Sequence, residues 1–414
     1  MKKIAFLLVM IAMFAFIGGG GVVQQNTADF SSSPFSTASA GHFEIQWEKS
    51  YGKIWWWSAR YEGPQPVGDA DGDGKNELLI GGRDPFMRVM KYDDAKGYYE
   101  QAKIIDPAFG VGYSLWLRLG DKWIEIPEPF GSATGFSIAD IDNDGKNEIG
   151  VAWGGHFSFF KWNGHRYKLV DKYLITSKDN GGTTLDCIVG DYNNDGKNEV
   201  IVTGGFGNEN SLIVLKWDGS KLVREAGWGY HSIYFPWIAD VDNDGKNEVI
   251  VGHGRDLTVL KWNGNNFDSH VIDRFDYQVF GCVAKDSNGD GIKEIHTTFG
   301  YPRLCIYEWN GSDYERIFDI TYNGEADTIE AIDVGDVDND GKAEVCVGTD
   351  KVHILQWDGS TYEEEYLIND TYGGLAVTCV GDFDNDGKLE INAGAVWRTS
   401  EEQDYKSWIF KYVE

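Results

Sequence analysis

Basic residues are scarce in this chain relative to acidic ones. Among 414 residues, 37 are Lys or Arg and 66 are Asp or Glu, which gives a formal net charge of −29 at pH 7. Nucleic acids and anionic lipid surfaces attract basic patches, so the balance argues against either as a partner and against membrane insertion of the folded part. The aromatic share of 14 % excludes a disordered acidic tail and supplies material for a large core.

Proline and cysteine are also scarce. Nine prolines against 52 glycines suit short strands joined by tight turns. The five cysteines are an odd number, so at least one thiol is unpaired, and they show no C-x-x-C spacing for a metal or redox site. Their apolar surroundings favour small buried side chains. A disulfide between Cys346 and Cys379, or between Cys282 and Cys305, stays open as an alternative.

Catalytic motifs are absent from the sequence. The eight histidines show no H-E-x-x-H spacing, and there is no G-x-S-x-G, no Walker motif and no G-x-G-x-x-G that opens a helix. We therefore assign no catalytic residue and expect a protein that is not an enzyme. A polysaccharide lyase or hydrolase, however, needs only a few scattered acids and bases, so this class stays as an alternative.

The N-terminal apolar run has the length of a signal peptide. Lys2 and Lys3 precede an uncharged apolar run at residues 4–17, which is shorter than a membrane span. A glycine cluster follows at residues 18–21. We predict a cleaved signal peptide over residues 1–21, with a retained N-terminal anchor as the alternative, and a Ser/Thr-rich linker over residues 22–40. The expected location is secreted or at the cell surface.

One nine-residue pattern, Asp-x-Asp/Asn-x-Asp-Gly-x-x-Glu, occurs seven times. Its copies are spaced 46 to 71 residues apart, which is typical of repeat architectures. Short apolar, β-rich runs flank each copy, and Asn-Gly or Asp-Gly pairs downstream of five copies favour two-residue hairpin turns. The copies begin at Asp69, Asp140, Asp191, Asp240, Asp286, Asp336 and Asp382.

These repeats predict an all-β fold, a seven-bladed β-propeller of four-stranded antiparallel blades over residues 41–414. The seventh repeat lacks a fourth strand, and an additional strand at residues 41–47 precedes the first repeat. We predict that this N-terminal strand completes the last blade and closes the ring. The first spacing is the longest, which indicates an inserted hairpin near residues 106–135.

The seven acidic loops are the predicted metal sites. Side chains at positions 1, 3, 5 and 9 and the carbonyl at position 7 can converge on one ion, and Gly at position 6 permits the bend. Six or seven oxygen ligands in a flexible loop suit Ca²⁺ better than Mg²⁺, and the lack of His or Cys argues against Zn²⁺ or Cu²⁺. We predict up to seven Ca²⁺ ions. Their ligand residues are Asp69, Asp71, Asp73, Lys75, Glu77, Asp140, Asp142, Asp144, Lys146, Glu148, Asp191, Asn193, Asp195, Lys197, Glu199, Asp240, Asp242, Asp244, Lys246, Glu248, Asp286, Asn288, Asp290, Ile292, Glu294, Asp336, Asp338, Asp340, Lys342, Glu344, Asp382, Asp384, Asp386, Lys388 and Glu390.

The segment 136–155 resembles the FG-GAP, or VCBS, repeat of the calcium-bearing propeller in the integrin α-chain head and in many secreted microbial proteins. The resemblance covers about residues 41–414. The chain departs from the family in having Glu at position 9, where integrins usually have Asp, and the Phe-Gly pair survives only at Phe280-Gly281. The resemblance implies that the calcium loops join the first and second strands of each blade, opposite the main ligand surface. It also implies adhesion, sugar binding or, in elaborated members, lyase activity.

Irregular connections rich in aromatic residues are predicted on the side opposite the loops. Aromatic rings there can stack on the apolar faces of sugars, although several of them are equally suited to the core. We predict a monomeric, exported module for adhesion or recognition that binds an extracellular glycan or protein. The alternatives are a carbohydrate-active enzyme and a structural cell-surface module. The candidate ligand-binding residues are Trp56, Trp57, Trp228, Tyr230, His231, Tyr301 and Trp397.

Overall fold

The computed structural model describes residues 41–53, 66–81, 84–108, 113–119, 122–128, 133–175, 183–205, 210–396 and 400–414. Within these residues every regular element is a β-strand, and seven sheets contain four antiparallel strands each. The predicted all-β, seven-bladed propeller is confirmed. In the described part of the chain, no helix is long and apolar enough to cross a membrane.

Thirty strands build the fold. The first fifteen in chain order are β1 (His42–Ser50), β2 (Val67–Gly68), β3 (Glu77–Ile80), β4 (Phe86–Asp93), β5 (Gly97–Ile105), β6 (Tyr113–Leu119), β7 (Lys122–Glu128), β8 (Ala133–Ala139), β9 (Glu148–Trp153), β10 (His156–Trp162), β11 (Tyr167–Leu174), β12 (Thr183–Gly190), β13 (Glu199–Gly205), β14 (Leu212–Trp217) and β15 (Leu222–Trp228). The others are β16 (Trp237–Ala239), β17 (Glu248–His253), β18 (Asp256–Trp262), β19 (Phe267–Arg274), β20 (Val279–Lys285), β21 (Glu294–Phe299), β22 (Tyr301–Trp309), β23 (Tyr314–Thr321), β24 (Ile332–Gly335), β25 (Glu344–Gly348), β26 (Val352–Trp357), β27 (Tyr362–Ile368), β28 (Leu375–Gly381), β29 (Glu390–Ala395) and β30 (Lys406–Val413).

Each blade is a meander in which strands that follow one another in the chain are paired. Blade 1 consists of β2–β5, blade 2 of β8–β11, blade 3 of β12–β15, blade 4 of β16–β19, blade 5 of β20–β23 and blade 6 of β24–β27. Strands β6 and β7 form a separate antiparallel pair between blades 1 and 2, inside the segment for which the long first spacing predicts a hairpin.

Blade 7 joins the two ends of the folded part. It consists of β28, β29, β30 and β1, and β1 pairs antiparallel with β30 from His42 opposite Val413 to Ser50 opposite Lys406. The predicted closure of the ring by the N-terminal strand is confirmed. This pairing satisfies the backbone groups of β30, which would otherwise form an open sheet edge.

The core lies between the blades. Seven clusters of buried apolar residues each pack side chains from neighbouring blades, including one that joins blades 7 and 1. Two tryptophans at third-strand ends reach the preceding blade. The ring centroids of Trp217 and Phe159 are 5.3 Å apart, and those of Trp262 and Tyr192 are 5.4 Å apart. All five cysteines are buried and none is part of a disulfide, so neither of the disulfides considered above is formed.

The meander sorts the connections onto two faces. The first-to-second and third-to-fourth turns of a blade lie at one end of its strands, and the second-to-third turns and blade-to-blade connections lie at the other. We call these the loop face and the connection face. The loop face carries loops 1–7, which are residues 69–77, 140–148, 191–199, 240–248, 286–294, 336–344 and 382–390.

Candidate functional site

Each loop joins the first two strands of its blade and curls around its own carboxylates. The glycines at position 6 have φ between 84° and 91°, and five asparagines at position 4 have φ between 57° and 65°. Such positive φ values suit Gly and are tolerated by Asn, and they let the backbone bend tightly. The sequence places these two residue types where the bend requires them.

Backbone N–H groups hold the loop carboxylates in place. In loop 2, Asp140 accepts hydrogen bonds from the N–H groups of Asp144 at 2.9 Å and Gly145 at 2.8 Å. Asp144 accepts one from the N–H of Lys146 at 3.1 Å, and Glu148 Oε2 accepts one from the N–H of Ile141 at 2.9 Å. Backbone N–H groups donate to positions 1 and 5 in every loop and, among the described residues, to position 9 in every loop except loop 3, so these oxygens are oriented by the local fold.

The oriented carboxylates converge. In loops 1, 2, 4, 5 and 6, three carboxylate oxygens of one loop lie within 4.8 Å of one another. Each group includes the position-9 glutamate, which is buried in every loop. These acidic clusters could hold metal ions, as the predicted ligand sets require.

Two of the buried glutamates each have an oxygen atom without a partner in the part of the chain that the structure describes. Glu294 Oε1 and Glu199 Oε2 have no hydrogen-bond partner among the described residues, although both side chains are almost fully buried. Burial raises the pKa of Glu77, Glu248, Glu294 and Glu390 to about 7 and that of Glu199 and Glu344 to about 8. A buried carboxylate without a counter-charge is costly, so these oxygens fit a bound cation.

Lysines of the third strands reach four loops, a feature that the sequence analysis missed. Lys161 Nζ lies 2.9 Å from Asp142 Oδ2 and 2.9 Å from Glu148 Oε1. Lys91 makes equivalent contacts in loop 1, at 2.7 Å to Asp71 and 2.6 Å to Glu77. Ammonium groups also contact loops 4 and 7, where they belong to Lys261 and Lys411. In the sequence, each of these lysines stands just before the aromatic residue near the end of the third strand. This position is the signal that could have identified them.

Asparagines at position 8 connect neighbouring loops, and these were missed as well. Each donates from its side-chain Nδ2 to the carbonyl oxygen of position 1 in the preceding loop. We call this contact the asparagine bridge. The four bridges are Asn76 to Asp382 at 2.8 Å, Asn147 to Asp69 at 3.0 Å, Asn198 to Asp140 at 2.9 Å and Asn247 to Asp191 at 2.9 Å. They link loops 7, 1, 2, 3 and 4 around the ring and cross the junction where the ring closes.

The connection face holds an aromatic cluster around blade 4. Tyr230 is 71 % exposed, and its ring centroid lies 4.3 Å from that of His231. The ring of His253 lies 4.6 Å from Trp228 and 5.0 Å from both Tyr230 and His231. Trp228 is half-buried and packs against the core between blades 3 and 4. The structure therefore brings three of the predicted ligand-binding residues together and adds His253.

A second aromatic pair lies beside this cluster. Tyr301 stacks on Tyr277 with a centroid distance of 4.3 Å and an interplanar angle of 6°. Ser232 and Gln278 connect the two groups, because the Ser232 hydroxyl donates to Gln278 Oε1 at 3.1 Å. The other predicted ligand-binding residues, Trp56, Trp57 and Trp397, lie outside the described residues.

The imidazole of His253 organises the exposed turn. Its Nε2 accepts hydrogen bonds from the backbone N–H groups of Tyr230 at 3.1 Å and His231 at 3.0 Å. The pKa of His253 is lowered to about 4, mainly by burial and also by nearby His231, while Asp256 acts in the opposite direction. The turn therefore requires a neutral His253 with a free lone pair on Nε2.

Acidification is expected to destabilise the protein partly through His253. The pKa of this group is lower in the folded than in the unfolded chain, so the folded chain binds fewer protons, and stability falls as pH drops from about 6.5 to about 4. His253→Gln retains an acceptor but does not titrate. Its loss of stability between pH 7 and pH 4 should be smaller than that of the wild type by about 2 kcal/mol. Urea unfolding at several pH values measures this difference. If the wild type and His253→Gln lost the same free energy of unfolding between pH 7 and pH 4, His253 would not be a source of the acid sensitivity.

The FG-GAP-like repeat matches this chain at residues 140–202 and 286–347. The first segment contains loops 2 and 3, and the second contains loops 5 and 6, so the chain carries FG-GAP-like repeats. No curated protein matches the sequence. Among solved structures, two crystal structures of BBS1N in complex with ARL6DN are similar to this chain. The crystal soaked with mercury gives 12 % sequence identity and the crystal soaked with lead gives 11 %. Both give a TM-score of 0.55 and cover 89 % of this chain and 96 % of the other. At this identity the likeness shows the fold alone.

Proposed function

We propose that this propeller of FG-GAP-like repeats is an exported, calcium-stabilised recognition module. It binds an extracellular glycan or protein through its connection face, while calcium in the loops of the opposite face stiffens the scaffold. The proposal separates the roles of the two faces, as expected when a rigid framework presents variable connections to a ligand.

The calcium part is supported by the buried, unpartnered glutamate oxygens. Positions 1, 3, 5 and 9 together with the carbonyl at position 7 would hold the ion. All are oxygen ligands, and the loop contains no nitrogen or sulfur ligand at these positions. Calcium prefers such sets and accepts six to eight oxygens with variable geometry. In loop 5, where no ammonium group contacts the carboxylates among the described residues, the bound ion would supply the counter-charge that they lack.

The ligand part is supported by the exposed ring of Tyr230. A large aromatic residue that is 71 % exposed and held by neighbouring rings is unusual for a residue that serves only packing. Tyr230 and His231 form the exposed edge of the aromatic cluster, and Trp228 forms its half-buried base. Sugars bind to such platforms by stacking, and proteins bind to them through aromatic anchors.

Tyr230→Ala is expected to weaken ligand binding about tenfold or more with almost no change in melting temperature. Anchor residues at interfaces commonly contribute more than about 1.4 kcal/mol, which corresponds to a factor of ten. Leu169→Ala provides a matched control, because Leu169 is 43 % exposed on the outer strand of blade 2. Binding of the full chain to a glycan array and to immobilised extracellular proteins in millimolar Ca²⁺ provides the readout.

The same panel tests the alternatives. Release of sugar products from a bound polysaccharide would support a carbohydrate-active enzyme instead of a binding module. A chain that neither binds nor cleaves any member of a broad panel would support a structural cell-surface module. Binding that Tyr230→Ala leaves intact would exclude the aromatic cluster as the ligand site.

Export can be tested separately. We expect the mature chain to start after residue 21, because the apolar run at residues 4–17 has the length of a signal peptide. Mass spectrometry of the chain recovered from outside the producing cells would identify this start. An intact N-terminus on membrane-associated protein would support the anchor.

A further inference from the structure

The loops differ in the residue that the third strand places beside their carboxylates. This residue stands just before the aromatic that ends the strand. It is a lysine in contact with the loop in blades 1, 2, 4 and 7, as described above. In blades 3, 5 and 6 the corresponding residues are Lys216, Glu308 and Gln356. Seven loops of nearly identical sequence therefore have different surroundings.

The lysine ammonium shares oxygens with the metal position. In loop 2, Glu148 Oε2 accepts the N–H of Ile141, so Oε1 is the oxygen left for an ion. Lys161 Nζ lies 2.9 Å from that same Oε1. An ion held by Glu148 would therefore lie within a few ångströms of a positive charge, and the two cations repel each other.

Loop 6 has a neutral group at the same place. Gln356 Nε2 donates hydrogen bonds to Asp340 Oδ2 at 2.9 Å and to Glu344 Oε1 at 3.1 Å. An amide satisfies these oxygens without adding charge. It also moves away from an incoming ion at lower electrostatic cost than an ammonium group does.

Loop 5 has an additional carboxylate instead of a counter-charge. Glu308 occupies the third-strand position, and the Oε1 atom of Glu294 has no hydrogen-bond partner in the described part of the chain. Glu294 is 0 % exposed, so this oxygen is directed into the loop rather than into solvent. An unpartnered, fully buried carboxylate oxygen indicates a cation at this position.

Loop 3 has an intermediate environment. Asn193 replaces an aspartate there, as Asn288 does in loop 5, and Lys216 Nζ contacts Glu225 Oε1 at 2.6 Å instead of a loop carboxylate. Counting positions 1, 3, 5 and 9 of the loop, the third-strand residue before the aromatic and, in blade 3, Glu225 as the partner of Lys216, the formal charge is −3 in blades 1, 2, 3, 4 and 7 and −4 in blades 5 and 6.

Each loop also has one lysine at position 7 or 8. In loop 6 this is Lys342, whose Nζ lies 4.0 Å from Asp340 Oδ2 and donates to Gln356 Oε1 at 2.9 Å. No ammonium group, however, pairs with Glu344 among the described residues.

We propose that the propeller contains two classes of calcium site, in which loops 5 and 6 bind first and loops 1, 2, 4 and 7 bind more weakly because an internal ammonium group competes with the ion. The inference rests on the proposed calcium function. Repulsion between the ammonium group and a divalent ion a few ångströms away corresponds to about tenfold or more in Kd. Loops 5, 6 and 7 have Lys293, Ala343 and Leu389 at position 8, so they lack the asparagine bridge to the preceding loop. The first ions would therefore stabilise two of the three loops that have no such bridge.

Calcium titration of the chelator-treated full chain, in competition with a chromophoric chelator, tests the two classes. We expect two tight ions in the wild type, one in Gln356→Lys and three in Lys161→Gln. Glu308→Lys introduces an ammonium group beside loop 5 in the same way and should also leave one tight ion. It serves as a second test in case Gln356→Lys fails to fold. Lys406→Gln is the matched control, because Lys406 lies at the opposite end of the third strand of blade 7 from the loop and its ammonium group pairs with Glu48. This control should leave the number of tight ions unchanged. Circular dichroism checks the fold of each variant.

The outcomes separate this inference from the proposed function. Seven equal sites that none of the exchanges alters would overturn the two classes while leaving the calcium function intact. Weaker binding in Lys161→Gln would also overturn them, since the lysine would then position the ligands rather than compete with the ion. A wild-type chain that binds no calcium would remove the proposed calcium function itself.

Discussion

Excess EGTA is expected to lower the melting temperature of this protein by tens of degrees or to unfold it with loss of its β-sheet signal. At a free Ca²⁺ concentration of about ten times Kd, each occupied site adds about 1.4 kcal/mol of stability, and seven independent sites add about 10 kcal/mol as an upper figure. The whole stability of a typical domain is about 5–15 kcal/mol, so losing this contribution has a large effect. Removal of the ions also leaves buried carboxylates crowded on one face.

Differential scanning calorimetry with and without calcium measures this effect. Two substitutions test whether the charge of a single loop ligand contributes to this stability. Asp244→Ala removes a charged ligand that is anchored by the N–H of Lys246 at 2.9 Å. Asn193→Ala removes a neutral ligand anchored similarly by the N–H of Asp195 at 2.9 Å. The first should destabilise the calcium-loaded protein more than the second. An unchanged melting curve in EGTA would show that the loops are acidic turns without a structural ion.

Deletion of residues 41–50 is expected to cause aggregation or exchange of strands between molecules. It removes β1, leaves the backbone groups of β30 unpaired and opens the ring at blade 7. Side-chain contacts are lost as well. Gln46 Oε1 accepts a hydrogen bond from the Tyr98 hydroxyl at 2.7 Å, and Lys406 pairs with Glu48 at 3.0 Å. Trp47 also leaves the apolar cluster that joins blades 7 and 1.

Size-exclusion chromatography and thermal unfolding measure the consequence of this deletion. A chain lacking residues 24–38 is the control, because we interpret that segment as linker and expect its removal to change neither property. A soluble monomer of unchanged stability after deletion of residues 41–50 would mean that β1 does not close the ring in solution.

Local sequence determined the blades and the loops. The nine-residue pattern combines carboxylates, glycine at a positive φ and flanking apolar strands within one short segment, so each copy specifies its own turn. Repetition at a regular spacing then predicted seven blades, and the additional strand at residues 41–47 predicted the closure. These features were readable because the residues that create them are neighbours in the chain.

The tertiary structure alone decided which residues surround the loops. Lys161 lies 19 residues from Asp142, and Asn198 lies 58 residues from the carbonyl that it binds in Asp140. Such contacts depend on the packing of third strands and neighbouring blades, which no short segment encodes. The position of His253 beneath Tyr230 and His231 depends likewise on how the second strand of blade 4 meets the preceding connection. The sequence therefore determined where the loop carboxylates lie, and the assembled ring decided which charges and hydrogen bonds act on them.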